Sequence, residues 1–169
     1  MQENLQKLKN RIMKNHLHFL LLIILSGLVA FPACKKDDDN DNKQAEIDEQ
    51  IILDYLADHN LTAQRDPSGV YYIITEEGDD VHPTAQSTVS VYYKGYLTDG
   101  SVFDQTGAGT ATFNLQGLIE GWQIGIPLLK EGGEGTFFIP SGLGYGSQAR
   151  PGIPANSVLI FEIELVDVE

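Results

Sequence analysis

The segment 158–168, close to the C-terminus, limits the fold of this chain more than any other part of the sequence. Every second residue in it is apolar and bulky: Leu159, Phe161, Ile163 and Leu165. Between them, Glu162 and Glu164 occupy the alternate positions. Because side chains of a strand point alternately to opposite faces, this pattern predicts a β-strand with one wholly apolar face. The chain therefore needs a sheet, and one face of that sheet needs a cover.

Other segments supply the remaining strands and that cover. Period-two or β-branched runs predict strands at 70–75, 87–97, 101–105, 111–115 and 135–139. Thr98–Gly100 is a hairpin turn between two of them. A short helix is predicted around Trp122 and Ile126, with Pro127 limiting its length. These elements predict an α+β fold: an antiparallel sheet with one buried face, covered by a single short helix.

The first 33 residues have the pattern of an export signal. Residues 19–33 form a run without charges, preceded by Lys14. The run is shorter than the ~20 apolar residues of a membrane-spanning helix, which favours a signal-peptide hydrophobic region. The stretch before Met13 is polar and long for such a signal, so we take Met13 as the expected start of the protein.

The single cysteine, Cys34, directly follows this run. Its position resembles a bacterial lipoprotein signal, in which the cysteine becomes the lipidated N-terminus, although Phe31 and Pro32 depart from the usual pattern. A plain secretory signal with a chance cysteine, or an uncleaved anchor, is the alternative. Residues 34–44 are acidic and polar, which predicts a flexible tether. Lysine followed by acidic residues there also resembles a surface-export signal. We expect an exported protein, anchored by lipid to the cell envelope, on the periplasmic or surface face of the outer membrane.

Residues 45–82 are expected to hold a helix and a first strand. Apolar residues recur at helical spacing between Glu46 and His59, including Ile47, Ile51 and Leu56. This helix could pack on the following domain or form a dimer contact, and the sequence leaves both open.

Charge and composition exclude several functions. The 169 residues carry 11 basic and 24 acidic side chains, a net charge of −13, which argues against electrostatic binding of nucleic acid. One cysteine excludes an intrachain disulfide, and no Cys/His cluster is spaced for zinc. No histidine has a convincing serine or cysteine partner, so a hydrolase triad is not indicated. We expect no metal and no cofactor.

Three motifs occur in order between residues 83 and 169: YKGYLTDGSVFD, LIEGW and IPANSVLIFEIEL. Together with LGYG they resemble the FK506-binding-protein (FKBP) type of peptidyl-prolyl cis–trans isomerase. The resemblance implies a bent antiparallel sheet wrapped around one short helix. It implies an isomerase that accelerates rotation of X–Pro bonds in exported proteins; the alternative is a chaperone or peptide-binding module with little turnover.

The resemblance also implies a site. Asp104, Tyr145 and the backbone N–H of Ile119 would act on the substrate amide, with Trp122 beneath the proline ring. The remaining pocket residues would bind the substrate: Tyr93, Phe103, Phe113, Leu118, Ile153 and Phe161. Partners would be proline-containing polypeptides, with a macrolide as a candidate inhibitor. Arg150, Leu143 and Ala111 depart from residues common in the family, which bears on substrate preference and macrolide affinity.

Overall fold

The structure is a computed structural model, and it describes residues 36–79 and 81–169. The predictions for the signal, the start at Met13 and the lipidated Cys34 lie outside the described residues. The elements are α1 Lys36–Asp58, β1 Gln64–Arg65, β2 Tyr71–Glu76, β3 Thr88–Tyr96, β4 Val102–Gln105, β5 Ala111–Asn114, α2 Glu120–Gly125, β6 Glu134–Ile139 and β7 Leu159–Val168. Short 3₁₀ helices lie at Leu115–Gly117, Ile126–Leu128 and Ser141–Leu143.

The strands of the described region form one antiparallel sheet in the order β1-β2-β6-β7-β3-β4, with β5 also paired to β3. The predicted strands are confirmed within one or two residues. Strand β7 lies between β6 and β3, and its register with β3 places Ile163 opposite Tyr93 and Phe161 opposite Gly95. The apolar residues that are predicted to point inward from β3 and from β7 therefore lie on the same face of the sheet. The α+β class and the antiparallel sheet with a short helix are confirmed.

The inner face of the sheet is covered by α2. Trp122, Phe137, Phe161 and Leu165 are among its buried residues, and together with their buried neighbours they form the inner core. Helix α2 ends at Gly125 and continues into a 3₁₀ turn that contains Pro127, as the sequence predicts. Gly121 lies so close to Ile139 that any Cβ would collide with it. Gly121 therefore lets this short helix approach the sheet closely.

The outer face is not simply solvated, and here the expectation of one buried face is wrong. Helix α1 packs across one end of it and forms a second cluster, the outer cluster, which contains Ile52, Leu56, Tyr71, Phe138, Val158 and Ile160. Ile160 in β7 and Phe138 in β6 point outward between inward residues, and both are buried. The helix therefore packs on the domain, which is one of the two roles that the sequence left open.

Helix α1 begins at Lys36, before the predicted start at 46, and so extends through most of the acidic segment 34–44. This differs from the flexible tether expected there. The segment has no proline or glycine to interrupt a helix, and negative residues are favoured near a helix N-terminus. The sheet also begins earlier than residue 83, because β2 pairs with β6. No helix within 36–79 and 81–169 is long and apolar enough to cross a membrane.

Candidate functional site

A cavity of about 420 Å³ opens on the inner face, between α2, the β3–β4 hairpin and the loop after β6. The structure brings all ten residues predicted for the substrate pocket into its lining: Tyr93, Phe103, Asp104, Phe113, Leu118, Ile119, Trp122, Tyr145, Ile153 and Phe161. Arg150 and Pro151 complete it. Aromatic and aliphatic groups dominate this lining, with a few polar groups among them, which is the usual composition of a small-ligand site.

Trp122 lines the cavity and is itself buried. Its ring centroid lies 5.2 Å from that of Tyr93 and 5.2 Å from that of Phe161, with both pairs close to perpendicular. Phe113 makes a third edge contact at 5.8 Å. Such T-shaped pairs are favourable because the positive edge of one ring meets the negative face of another. These four rings therefore form one packed aromatic surface, contributed by one helix and three strands.

The indole Nε1 of Trp122 is buried and finds no hydrogen-bond partner among the described residues. A buried polar hydrogen of this kind is an uncommon feature that calls for an explanation. It lies on a side chain that lines the cavity.

Phe103 reaches the cavity because residue 95 is glycine. A Cβ at Gly95 would lie 2.6 Å from the Phe103 ring and 2.7 Å from the Phe161 ring. Phe103 and Phe161 themselves pack edge to face at 5.5 Å. Sequence reasoning missed Gly95, although a glycine inside an otherwise strong strand pattern is a signal for close approach of another group.

Asp104 and Tyr93 form the polar pair of the cavity wall. The Tyr93 hydroxyl donates to Asp104 Oδ2 at 2.7 Å, and the Gln105 backbone N–H donates to Asp104 Oδ1 at 2.9 Å. Burial raises the pKa of Tyr93 to about 12, with the hydrogen bond to Asp104 as the next cause. Tyr93 therefore stays neutral near pH 7 and holds the Asp104 carboxyl in one orientation.

Ile119 immediately precedes α2, where its extended backbone turns the chain into the helix. The Ile119 carbonyl accepts from the Trp122 N–H at 3.0 Å, and the Gln123 side chain donates to the Leu118 carbonyl at 2.9 Å. These bonds hold the turn that carries Leu118 and Ile119 into the cavity. Its geometry is thus fixed by the same helix that positions Trp122.

The far rim comes from the loop between β6 and β7. The Arg150 guanidinium lies 5.5 Å from the centre of the Tyr145 ring, close enough for a cation–π contact. Arg150 and Ile153 form an isolated antiparallel bridge that tightens the loop. Pro151, which sequence reasoning did not assign to the site, lies between them, and the proline- and glycine-rich run RPGIP was its only signal.

The two histidines of the described region lie away from the cavity. His59 stacks on Tyr55 with ring centroids 3.9 Å apart, and His82 contacts the Leu129 carbonyl at 3.1 Å. Residues 36–79 and 81–169 contain no group of three or more metal-ligating side chains placed to hold an ion. The chemistry available at the site is that of a shaped apolar cavity with a few hydrogen-bonding groups.

Comparisons with known proteins agree with this geometry. Residues 79–166 match the family model for FKBP-type peptidyl-prolyl cis-trans isomerases. The chain is 47% identical over 104 residues to the "Probable FKBP-type peptidyl-prolyl cis-trans isomerase FkpA" of Neisseria meningitidis, covering 60% of this chain and 38% of that protein. It is 42% identical over 104 residues to FkpA of Escherichia coli K12, again covering 60% and 38%. The chain thus spans about two fifths of the length of these curated relatives.

The fold has solved counterparts. The crystal structure of FkpA from Escherichia coli matches with a TM-score of 0.64 at 31% identity, covering 99% of this chain and 71% of that one. A peptidyl-prolyl cis-trans isomerase from Pseudomonas syringae matches with a TM-score of 0.67 at 27% identity, covering 76% and 95%. Because the family model matches more than half of this chain, the chain belongs to the FKBP-type peptidyl-prolyl cis–trans isomerase family.

Proposed function

We propose that residues 83–169 accelerate cis–trans rotation of X–Pro bonds in proline-containing polypeptides. One observation carries the proposal. Residues that the family resemblance selects from five separate stretches of sequence line a single apolar cavity, with Trp122 at its floor and Asp104 in its wall. Membership of the isomerase family supports the same activity.

The physics of prolyl rotation suits such a cavity. Resonance keeps the peptide bond planar and sets a barrier of about 18–20 kcal/mol to rotation. Water stabilises the planar, polar amide, whereas an apolar cavity that grips the proline ring removes part of that stabilisation. A site that binds the twisted amide more tightly than either planar form lowers the barrier by differential binding. A thousandfold acceleration requires roughly 4 kcal/mol, and it needs neither nucleophile nor metal.

Each residue then has a role. Trp122 supports the proline ring, with Phe103 and Phe161 beside it. Asp104, held by Tyr93, faces the twisted amide. The Ile119 N–H and the Tyr145 hydroxyl donate hydrogen bonds to substrate carbonyls, and Phe113, Leu118 and Ile153 shape the entrance. A macrolide inhibitor would compete for the same cavity.

A second candidate function is a chaperone or peptide-binding module with little turnover. One observation favours it: helix α1 leaves Ile47, Ile51 and Leu53 between 36% and 45% exposed. Exposed apolar side chains grouped on one element are typical of an interaction surface. In that case the cavity would bind proline-containing segments without accelerating their isomerisation.

A protease-coupled assay on a proline tetrapeptide separates the two candidates. We expect the purified protein to accelerate isomerisation, and Asp104→Ala and Tyr145→Phe each to lower kcat/KM by about tenfold, on the order of 1.4 kcal/mol. Asp167→Ala and Tyr92→Phe, which change the same residue types outside the cavity, should leave kcat/KM unchanged. Binding of the tetrapeptide without any acceleration would favour the chaperone alternative and remove the enzyme proposal.

The proposed location is the cell envelope, with the domain exported and anchored through acyl chains on Cys34. The support is the sequence: a lone cysteine directly after the uncharged run 19–33. Labelled palmitate should be incorporated into the wild-type protein, and Cys34→Ala should abolish the labelling and release the protein from membranes. Protease treatment of intact cells then distinguishes the surface face from the periplasmic face of the outer membrane.

A further inference from the structure

Asp48 is a buried acidic residue of helix α1 that takes no part in the proposed chemistry. Its side chain is fully buried, and so is that of Ser141, in the 3₁₀ turn after β6. Asp48 Oδ2 accepts from the Ser141 backbone N–H at 2.8 Å and from the Ser141 hydroxyl at 2.6 Å. Asp48 Oδ1 accepts from the Gln44 side chain at 2.8 Å. The carboxyl group thus joins the helix to one residue of a loop.

That loop carries Tyr145 into the cavity. The Ser141 carbonyl accepts from the Gly144 N–H at 3.0 Å and from the Gly146 N–H at 2.8 Å, so it binds both neighbours of Tyr145. The Gly146 carbonyl in turn accepts from the Asn156 N–H at 2.8 Å. Asp48 therefore accepts hydrogen bonds from the N–H and the hydroxyl of Ser141. The carbonyl of Ser141 in turn accepts from the two residues that flank Tyr145.

A purely structural attachment of the helix would not need this carboxyl group. One and two turns further along α1, Ile52 and Leu56 already dock the helix by apolar burial. Burying a carboxyl group is costly unless hydrogen bonds compensate for its lost hydration. Hydrogen bonds are directional, whereas apolar contacts allow sliding, so a buried acceptor of this kind restricts the position of the group it binds.

We propose that Asp48 is a positioning residue for the isomerase site: it acts through Ser141 to hold the Tyr145 hydroxyl where it can donate to the substrate. The N-terminal helix is then part of the active-site architecture rather than an attachment to it. This inference rests on the proposed function, in which Tyr145 contacts the substrate.

The central test is a double-mutant cycle in the full chain. Asp48→Ala should lower kcat/KM by about fivefold, chiefly through kcat, because substrate still enters the apolar cavity. In a Tyr145→Phe background the same change should have no further effect, since the hydroxyl it positions is gone. Asp48→Asn should recover most of the activity, because its amide oxygen can still accept both bonds from Ser141. Equal losses in the two backgrounds, or no recovery with asparagine, would overturn the proposal.

Glu49→Ala is the matched control, because it removes the neighbouring acceptor in the same way as Asp48→Ala. The neighbouring Glu49 also links the helix to the domain, accepting from the Tyr71 hydroxyl at 2.7 Å and from Arg65 Nε at 2.9 Å, but those partners lie away from the Tyr145 loop. The Glu49 variant should leave kcat/KM unchanged. A drop as large as that of Asp48→Ala would mean that any loosening of α1 affects activity, contrary to the proposal.

Amide hydrogen exchange tests the positioning independently of turnover. In Asp48→Ala, exchange at Gly144 and Gly146 should speed up by about tenfold, while the amides of β7 keep their protection. Glu49→Ala should not change exchange at either glycine. If the wild-type protein lacked isomerase activity, the proposed function would fail while these exchange rates still reported on the link. Unchanged exchange in Asp48→Ala would instead overturn the link itself.

Discussion

The two faces of the sheet are built from the same strands but differ in what covers them. In β6, Phe137 points into the inner core and Phe138 into the outer cluster; in β7, Phe161 points into the inner core and Ile160 into the outer cluster. The inner face is covered by the six-residue helix α2, which leaves a cavity beside it. The outer cluster lies beneath the 23-residue helix α1.

This difference separates the side chains that stabilise the fold from those that are free to contact a ligand. Around the cavity, Tyr93, Phe103, Phe113 and Leu118 remain half-buried, although they pack against a fully buried core. Such side chains retain exposed apolar surface that a ligand can cover. In the outer cluster, Ile52, Phe138 and Ile160 have 1% exposure or less, so they have almost no exposed surface that a ligand can cover. We therefore expect truncation of apolar side chains in the outer cluster to affect folding, and changes at the cavity to affect turnover.

A matched pair of leucines gives the largest expected contrast. Leu56→Ala in the outer cluster should lower the free energy of unfolding by about 2–4 kcal/mol, because it removes buried methyl groups and leaves a cavity. Its kcat/KM should stay within about twofold of wild type, a barrier change of under 0.5 kcal/mol. Urea unfolding and the tetrapeptide assay measure the two quantities.

Leu118→Ala is the counterpart at the cavity. Its stability cost should be smaller, because Leu118 is already half-exposed. Its kcat/KM should fall by about tenfold, because apolar contacts with the substrate are lost. The separation of the faces would be refuted if Leu56→Ala lost activity in a protein that is still fully folded.

Gly95→Ala should give the next largest effect. The added methyl group must displace the rings of Phe103 and Phe161, so we expect kcat/KM to fall by about tenfold and stability by about 1–3 kcal/mol. Gly109→Ala provides the control, because a Cβ there meets nothing within 4 Å. Wild-type activity in Gly95→Ala would show that Phe103 does not need its observed position.

The smallest effect concerns the ionisation of Tyr93. Its raised pKa of about 12 means that the folded state favours the neutral phenol. The associated stability is fully present below the ordinary tyrosine pKa of about 10 and is lost as the pH rises through 12. Difference absorbance spectra against Tyr93→Phe should show no tyrosinate from this residue at pH 10.5.

Asp104→Asn tests how much of the raised pKa of Tyr93 comes from its carboxylate partner. Removing the carboxylate should lower the pKa of Tyr93, but not fully to 10, because burial is the larger cause of the shift. Asp99→Asn, in the β3–β4 turn, is the control and should leave the Tyr93 transition in place. Ionisation of Tyr93 at pH 10 in the wild type would contradict a raised pKa for its hydroxyl.

The strands and α2 were predictable because their patterns are local. The alternation from Leu159 to Leu165 defines its own buried face, and Pro127 limits α2 wherever the helix packs. The cavity residues came from a resemblance in spacing rather than from any single residue, since Phe103 or Phe161 alone would be read as core. The outward Ile160 was a local sign that the outer face is also covered, but one residue does not say by what.

The amino-acid sequence by itself determined the antiparallel sheet, its inward row and the family, because periodicity and motif order are properties of neighbouring residues. Only the tertiary structure decided that α1 covers the outer face, that Gly95 makes room for Phe103, and that Asp48 reaches Ser141. Most of these contacts join positions far apart in the chain, such as Asp48 with Ser141 and Gly95 with Phe161. Their hydrogen bonds and close approaches depend on distances of a few tenths of an ångström, which no linear pattern encodes.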